Sequence, residues 1–120
     1  MTADSLQITV TTDKPVYRSG EPVRMTLTLA NRSGQERTVD FTTGQRYDFK
    51  VDDRAGATVW SWGADRMFPQ VLGTERLPPG GSRDYTAEFS GRLPPGTYTV
   101  TGLIVARGAP RPASSTITIQ

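Results

Sequence analysis

The chain contains no histidine and no cysteine among its 120 residues. Without an imidazole or a thiol, neither a Ser-His-Asp nor a Cys-His catalytic site can be assembled, and zinc sites built on those ligands are excluded with them. Lysine is scarce as well: Lys14 and Lys50 are the two in the chain. Catalysis would have to rest on carboxylate, tyrosine or serine-lysine chemistry, so an enzyme is not expected, and neither a cofactor nor a metal is implied. The lack of cysteine also removes disulfides, which suits a reducing compartment. No apolar run approaches the roughly 20 residues of a membrane-spanning helix. Met1 to Gln7 lacks the basic start and apolar middle of a signal peptide. The expectation is a cytoplasmic protein that makes no use of the membrane, with export and removal of a leader as the alternative.

Charge is nearly balanced, 14 basic against 12 acidic residues for a net charge of +2, and the arginines stand singly along the chain. A nucleic-acid surface would show a basic stripe interleaved with aromatics, so no nucleic-acid partner is expected. Hydrophobic content is a modest 35%, while 12 glycines and 9 prolines favour short strands and tight turns over helices. At this length one domain spanning 1–120 can bury enough surface to need no staples.

Two-residue periodicity then marks the strands. Leu6, Ile8 and Val10 alternate with polar neighbours, as do Val23, Met25, Leu27 and Leu29, then Val39 and Phe41, and then Tyr47, Phe49 and Val51. Thr58 to Trp62 reads as the strand returning from a turn at Asp52–Gly56. Tyr85, Ala87 and Phe89 give another strand, Tyr98, Val100, Gly102 and Ile104 a long one, and Ile117 and Ile119 the last. Between them, Pro-Gly at Leu77–Gly80 and again at Leu93–Gly96 suggests one type II turn used twice. Tyr98 sits where a tyrosine corner would place it. Asn31-Arg32-Ser33 matches a glycosylation acceptor, but with Gly34 beside it the residues read as a turn. The sum is an all-β chain of seven to eight strands, an immunoglobulin-like antiparallel β-sandwich.

Aromatics are sparse at 8%, yet both tryptophans, three of the four phenylalanines and Tyr47 fall between Asp40 and Phe68. The string FTTGQRYDFKVDDRAGATVWSWGADRMF, followed by the turn at Leu77–Gly80 and by Pro95-Gly96-Thr97-Tyr98, resembles the bacterial intracellular proteinase inhibitor family, the BsuPI-type domain. The resemblance runs from about Tyr17 to the last strand. It implies an immunoglobulin-like sandwich and a protein partner, a serine protease as for the family's founding member; the expected state is a monomer. The opening TDKPVYRSGEPV also looks like the start of macroglobulin-type sandwich domains.

An inhibitor of this kind needs a stiff loop carrying a side chain for the protease's primary specificity pocket, since preorganisation lowers the entropic cost of binding. The stretch from Ala64 to Pro69 is the best candidate. Met67 or Phe68 would suit a subtilisin-like apolar pocket and Arg66 a trypsin-like acidic one, with Pro69 stiffening the downstream side. The competing reading folds Met67 and Phe68 back under Trp60 or Trp62 as a cap on the core. Trp60 and Trp62 share one strand face, either inside or as an aromatic patch for a partner. The candidate protein-binding residues are therefore Trp62, Arg66, Met67 and Phe68. Two rival functions remain: a non-inhibitory interaction module, and a carbohydrate-binding module using Trp62 and Tyr47. Asp48, Asp52 and Asp53 are too few, and too mixed with Lys50 and Arg54, to hold calcium.

Overall fold

The computed structural model describes residues 6–64 and 66–120; residues 1–5, within the Met1–Gln7 stretch considered above, and Asp65, within the candidate loop, lie outside the described residues. Among the described residues there are ten strands and no helix: β1 (Leu6–Thr12), β2 (Val16–Tyr17), β3 (Val23–Asn31), β4 (Arg37–Phe41), β5 (Tyr47–Asp52), β6 (Thr58–Ser61), β7 (Gly73–Leu77), β8 (Ser82–Phe89), β9 (Gly96–Ile104) and β10 (Ala113–Ile119). They form a three-stranded sheet β1-β3-β8, a five-stranded sheet β2-β10-β9-β5-β6, and a two-stranded ribbon β4-β7.

The strand residues follow from their alternation. In β3, Val23, Met25, Leu27, Leu29 and Asn31 are buried while their neighbours face outward, and β9 does the same with Tyr98, Val100, Gly102 and Ile104. The apolar side chains of those two inward faces, with Phe49 and Val51 of β5, Ile117 and Ile119 of β10 and Val39 and Phe41 of β4, belong to one hydrophobic core. Each such side chain fully removed from water contributes about 1.5–3 kcal/mol. The sheets approach closely at Gly102, where a Cβ would lie 2.6 Å from Val10 Cγ2 and 2.8 Å from Leu27 Cδ1.

Two strands exceed the expected seven to eight. The two-residue β2 is too short to show alternation, and it pairs parallel with β10, so the sandwich is not wholly antiparallel. β7 carries Thr74, Glu75 and Arg76, too polar to look like a strand, and is formed by pairing with β4 in the register Val39 to Glu75. The strand expected to include Trp62 ends at Ser61.

The first Pro-Gly turn behaves as expected: Gly80 has φ 73° and the Gly81 amide donates to the Pro78 carbonyl at 2.8 Å. The second does not repeat it. Gly96 has φ 156°, and the Pro94 carbonyl instead accepts the Tyr98 hydroxyl at 2.7 Å, which is the tyrosine corner. Asn31, read as the start of a turn, is the last residue of β3 and is buried: its Nδ2 donates to the carbonyls of Gln35, Leu77 and Pro78 at 2.8, 2.9 and 3.1 Å, while its Oδ1 accepts from Ser33.

Candidate functional site

The chain leaves the five-stranded sheet at the end of β6 and re-enters the β4-β7 ribbon at Gly73, and the loop between carries all four candidate residues. Its first residues are fixed by the β5-β6 hairpin. The Trp62 amide donates to the Phe49 carbonyl at 2.9 Å, and the Gly63 amide donates to Asp48 Oδ1, also at 2.9 Å. Asp48 receives the Phe49 amide on the same oxygen at 2.8 Å. A Cβ at Gly63 would come within 2.7 Å of Gln45 Nε2 and 3.2 Å of Asp48 Oδ2, so a larger residue there would have to displace one of those side chains.

The far end of the loop is fixed with equal economy. The Gly44 amide donates to the Pro69 carbonyl at 2.7 Å, and a Cβ on Gly44 would lie 2.8 Å from Pro69 Cδ. The Val71 amide returns to the same carbonyl at 3.0 Å, turning the chain towards β7. Beneath this turn the Arg46 guanidinium lies 4.4 Å from the Phe41 ring centroid and against Gly73, where a Cβ would come within 2.5 Å of Arg46 Nη2.

Between the two ends, an aromatic column holds the loop. Tyr47 stacks on Tyr85 with centroids 4.8 Å apart and on Trp62 at 4.4 Å. Trp62 in turn receives the Arg66 guanidinium 4.3 Å from its ring centroid and the Phe68 ring at 5.8 Å. Arg66 Nε also donates to the Trp62 carbonyl at 3.0 Å. Burial, and then the nearby Glu75 carboxylate, push the Tyr85 phenol up, so the base of the column stays neutral.

The sequence-predicted residues are thus brought together, with different roles. Trp62 is a half-buried platform, Arg66 and Phe68 lie on it, and Met67 is 98% exposed. Phe68 is held back, as the competing reading had it, but against Trp62 and with Met67 left outside. The arginine expected to suit an acidic pocket is turned onto an indole. Trp60 packs on the core, tilted against Phe89 at 5.1 Å.

A sugar platform needs free ring faces, and Tyr47 is occupied by rings on both sides while Trp62 carries Tyr47, Arg66 and Phe68. The acidic grouping is consumed in local turns: Asp52 accepts from the Thr58 hydroxyl, and Asp53 accepts from the Ala55 and Ala57 amides. Among the described residues no group of three or more acidic, histidine or cysteine side chains could hold a metal ion.

Sequence reasoning did not pick out Gly44, Asp48 and Gly63 as the loop's supports, nor Tyr85 as the base of the column. The hairpin register carried part of the signal: Lys50 pairs with Ser61, which sets Asp48 opposite Gly63. It also passed over Val71 and Leu72, which are 51% and 78% exposed in the same loop as Met67.

Residues 10–109 match the family model described as intracellular proteinase inhibitor. No curated protein matches the chain. Among solved structures, sporulation control protein Spo0M from Bacillus subtilis is similar at 15% identity and a TM-score of 0.63, covering 97% of this chain and 49% of its own. Alkylpurine DNA glycosylase AlkC of Pseudomonas fluorescens is similar at 16% identity and a TM-score of 0.55, over 97% of this chain and 30% of its own. A CARDB domain from Pyrococcus furiosus aligns at 11% identity and a TM-score of 0.55, over 96% of this chain and 87% of the domain. The chain therefore spans less than half the length of the first two. Identities this low show a shared fold, an immunoglobulin-like β-sandwich, and nothing of activity.

Proposed function

Because the chain belongs to the intracellular proteinase inhibitor family, a membership that implies a proteinase partner and a non-catalytic role, we propose that it inhibits a serine protease of the subtilisin-like type by placing the loop around Arg66 to Phe68 in the active-site cleft. The domain takes part as a monomer comprising the whole of 1–120. Met67 enters the apolar primary specificity pocket, and neither nucleic acid nor membrane is involved.

One observation carries this reading: Met67 is 98% exposed while its neighbours on both sides lie against Trp62. Exposing a large apolar side chain forgoes about 1.5–3 kcal/mol of burial, and a partner's pocket supplies that burial. The residues on either side already adopt one arrangement, so little ordering entropy is lost on docking. Arg66, engaged with Trp62, would have to leave both its hydrogen bond and its cation–π contact to reach an acidic pocket, which argues against a trypsin-like target.

A stoichiometric titration of the protein against a subtilisin-like and a trypsin-like protease tests the proposal. Saturable loss of subtilisin-like activity near equimolar ratio, abolished when Arg66, Met67 and Phe68 are replaced by glycine and serine, is the expected result. Undiminished activity of both proteases would overturn it. In that event the exposed Val71 and Leu72 favour the second reading, a non-inhibitory interaction module that meets its partner through the same end of the sandwich.

A further inference from the structure

We propose that Met67–Phe68 is the reactive bond, and that the protease cuts and remakes it while the two new ends stay attached to Trp62. This rests on the inhibitory reading above, and it assigns the bond, the chemistry and the reason hydrolysis stalls.

Each side of the bond is held by its own contacts. Upstream, Arg66 is fixed to Trp62 twice, through Nε to the Trp62 carbonyl at 3.0 Å and through its guanidinium 4.3 Å from the indole centroid. Downstream, Phe68 lies on the same indole at 5.8 Å, and the Pro69 carbonyl accepts from the Gly44 amide at 2.7 Å. None of these contacts runs through the Met67–Phe68 bond. Severing it would leave both ends tied to one side chain, itself stacked on Tyr47 at 4.4 Å.

The sheets hold a cut chain together as well. The segment after the bond contributes β7, β8, β9 and β10, and the segment before it contributes β1 to β6. The pairs β3-β8, β5-β9, β4-β7 and β2-β10 all cross the cut. A cleaved molecule keeps these ladders, and the new amine cannot leave with its fragment.

The chemistry then balances without any added reagent. The protease serine oxygen attacks the Met67 carbonyl carbon; the C–N bond to Phe68 breaks and an ester to Met67 forms. The serine proton passes through the protease's general base to the Phe68 nitrogen, which becomes the amine. With an ordinary substrate the amine diffuses away and water takes its place. Here Phe68 on Trp62 and Pro69 on Gly44 keep the amine beside the ester, where an oriented intramolecular nucleophile outcompetes solvent by orders of magnitude. It attacks the ester carbon, the peptide bond re-forms, and the proton returns to the serine oxygen by the same base. Occasional capture by water gives a chain heavier by one water and cut once.

The test uses the full chain with a catalytic amount of subtilisin, followed by mass spectrometry. Intact chain and purified singly cut chain should converge on one ratio of the two species, and the cut chain should inhibit. Trp62→Ala and, separately, Phe68→Ala should be hydrolysed at Met67–Phe68 about tenfold faster or more, because the amine is no longer held. Trp62→Phe, which keeps a ring for both neighbours, should restore slow turnover. Inhibition with the bond never cut, or with a cut chain that neither inhibits nor is resealed, would overturn this proposal and leave the inhibitory reading standing. Absence of inhibition would overturn both.

Discussion

Two residues show how differently a side chain can depart from its usual place. Met67 is apolar and exposed, Asn31 polar and 1% exposed. For Met67, nothing in the fold depends on the side chain, so Met67→Asp should leave the denaturant midpoint within about 0.5 kcal/mol of the parent. The same change should weaken protease binding by about 30-fold or more, because a carboxylate would be stranded in an apolar pocket. Binding titration and unfolding on the same variant check it, and a parallel loss of both would show Met67 to be structural. For Asn31 the reverse holds. Asn31→Ala removes three donations to backbone carbonyls and the acceptor of the Ser33 amide and hydroxyl, so it should cost about 2–3 kcal/mol of stability by urea unfolding. Inhibition per folded molecule should be unchanged. Asn31 read from sequence as a turn residue because the side chain's chemistry is local; its burial depends on Leu77 and Pro78, 46 and 47 residues away, which no local pattern reveals.

At the scale of elements, legibility followed burial. Strands with one wet and one buried face, β3, β5 and β9 above all, announce themselves by alternation, and the β5-β6 hairpin was placed by its turn at Asp52–Gly56. β2 and β7 were not visible, because each exists through its partner: β2 through β10, and β7 through β4. The loop was legible as residues and not as a geometry. That Met67 points out and Phe68 in is decided by Trp62, Asp48 and Gly44, and only Trp62 was singled out. Gly63→Ala therefore makes a sharp test of the support. A Cβ meets the Gln45 amide nitrogen at 2.7 Å, so either that side chain or the Gly63–Asp48 hydrogen bond must yield. The expected result is a loss of about 1–2 kcal/mol in stability, with inhibition weakened further because the loop loses its upstream support. Unaltered inhibition by Gly63→Ala would separate the loop's function from its support at Asp48.

At the scale of the molecule, the second and last strands are closed by one small cluster. The Gln120 amide donates to the Tyr17 carbonyl and the Thr118 amide to the Pro15 carbonyl, tying β2 to β10, while the Tyr17 hydroxyl donates to Asp13 and accepts from the Lys14 amide. The Tyr17 hydrogen bond holds the Asp13 carboxyl below its usual range, and burial, then Asp13 itself, push the Tyr17 phenol up. Asp13 is depressed in the fold, so its contribution is present above its unfolded value of about 4 and lost as pH falls through the lower folded value. Tyr17 is raised, so its contribution is complete below about 10 and lost as pH rises towards the folded value, with Tyr85 acting in the same sense. With no histidine or cysteine side chain to titrate between, stability should be nearly flat from about pH 5 to 9 and fall on either side. A single hydroxyl takes part in both flanks. Tyr17→Phe should lower the plateau by about 1 kcal/mol, and it should blunt the acid fall, since Asp13 loses the donor that favours its ionised form, together with the alkaline one. Urea midpoints from pH 3 to 11 decide it: an acid limb that keeps the parent's slope would mean that Asp13 is not held by Tyr17, and that other carboxylates set the acid limit of the fold.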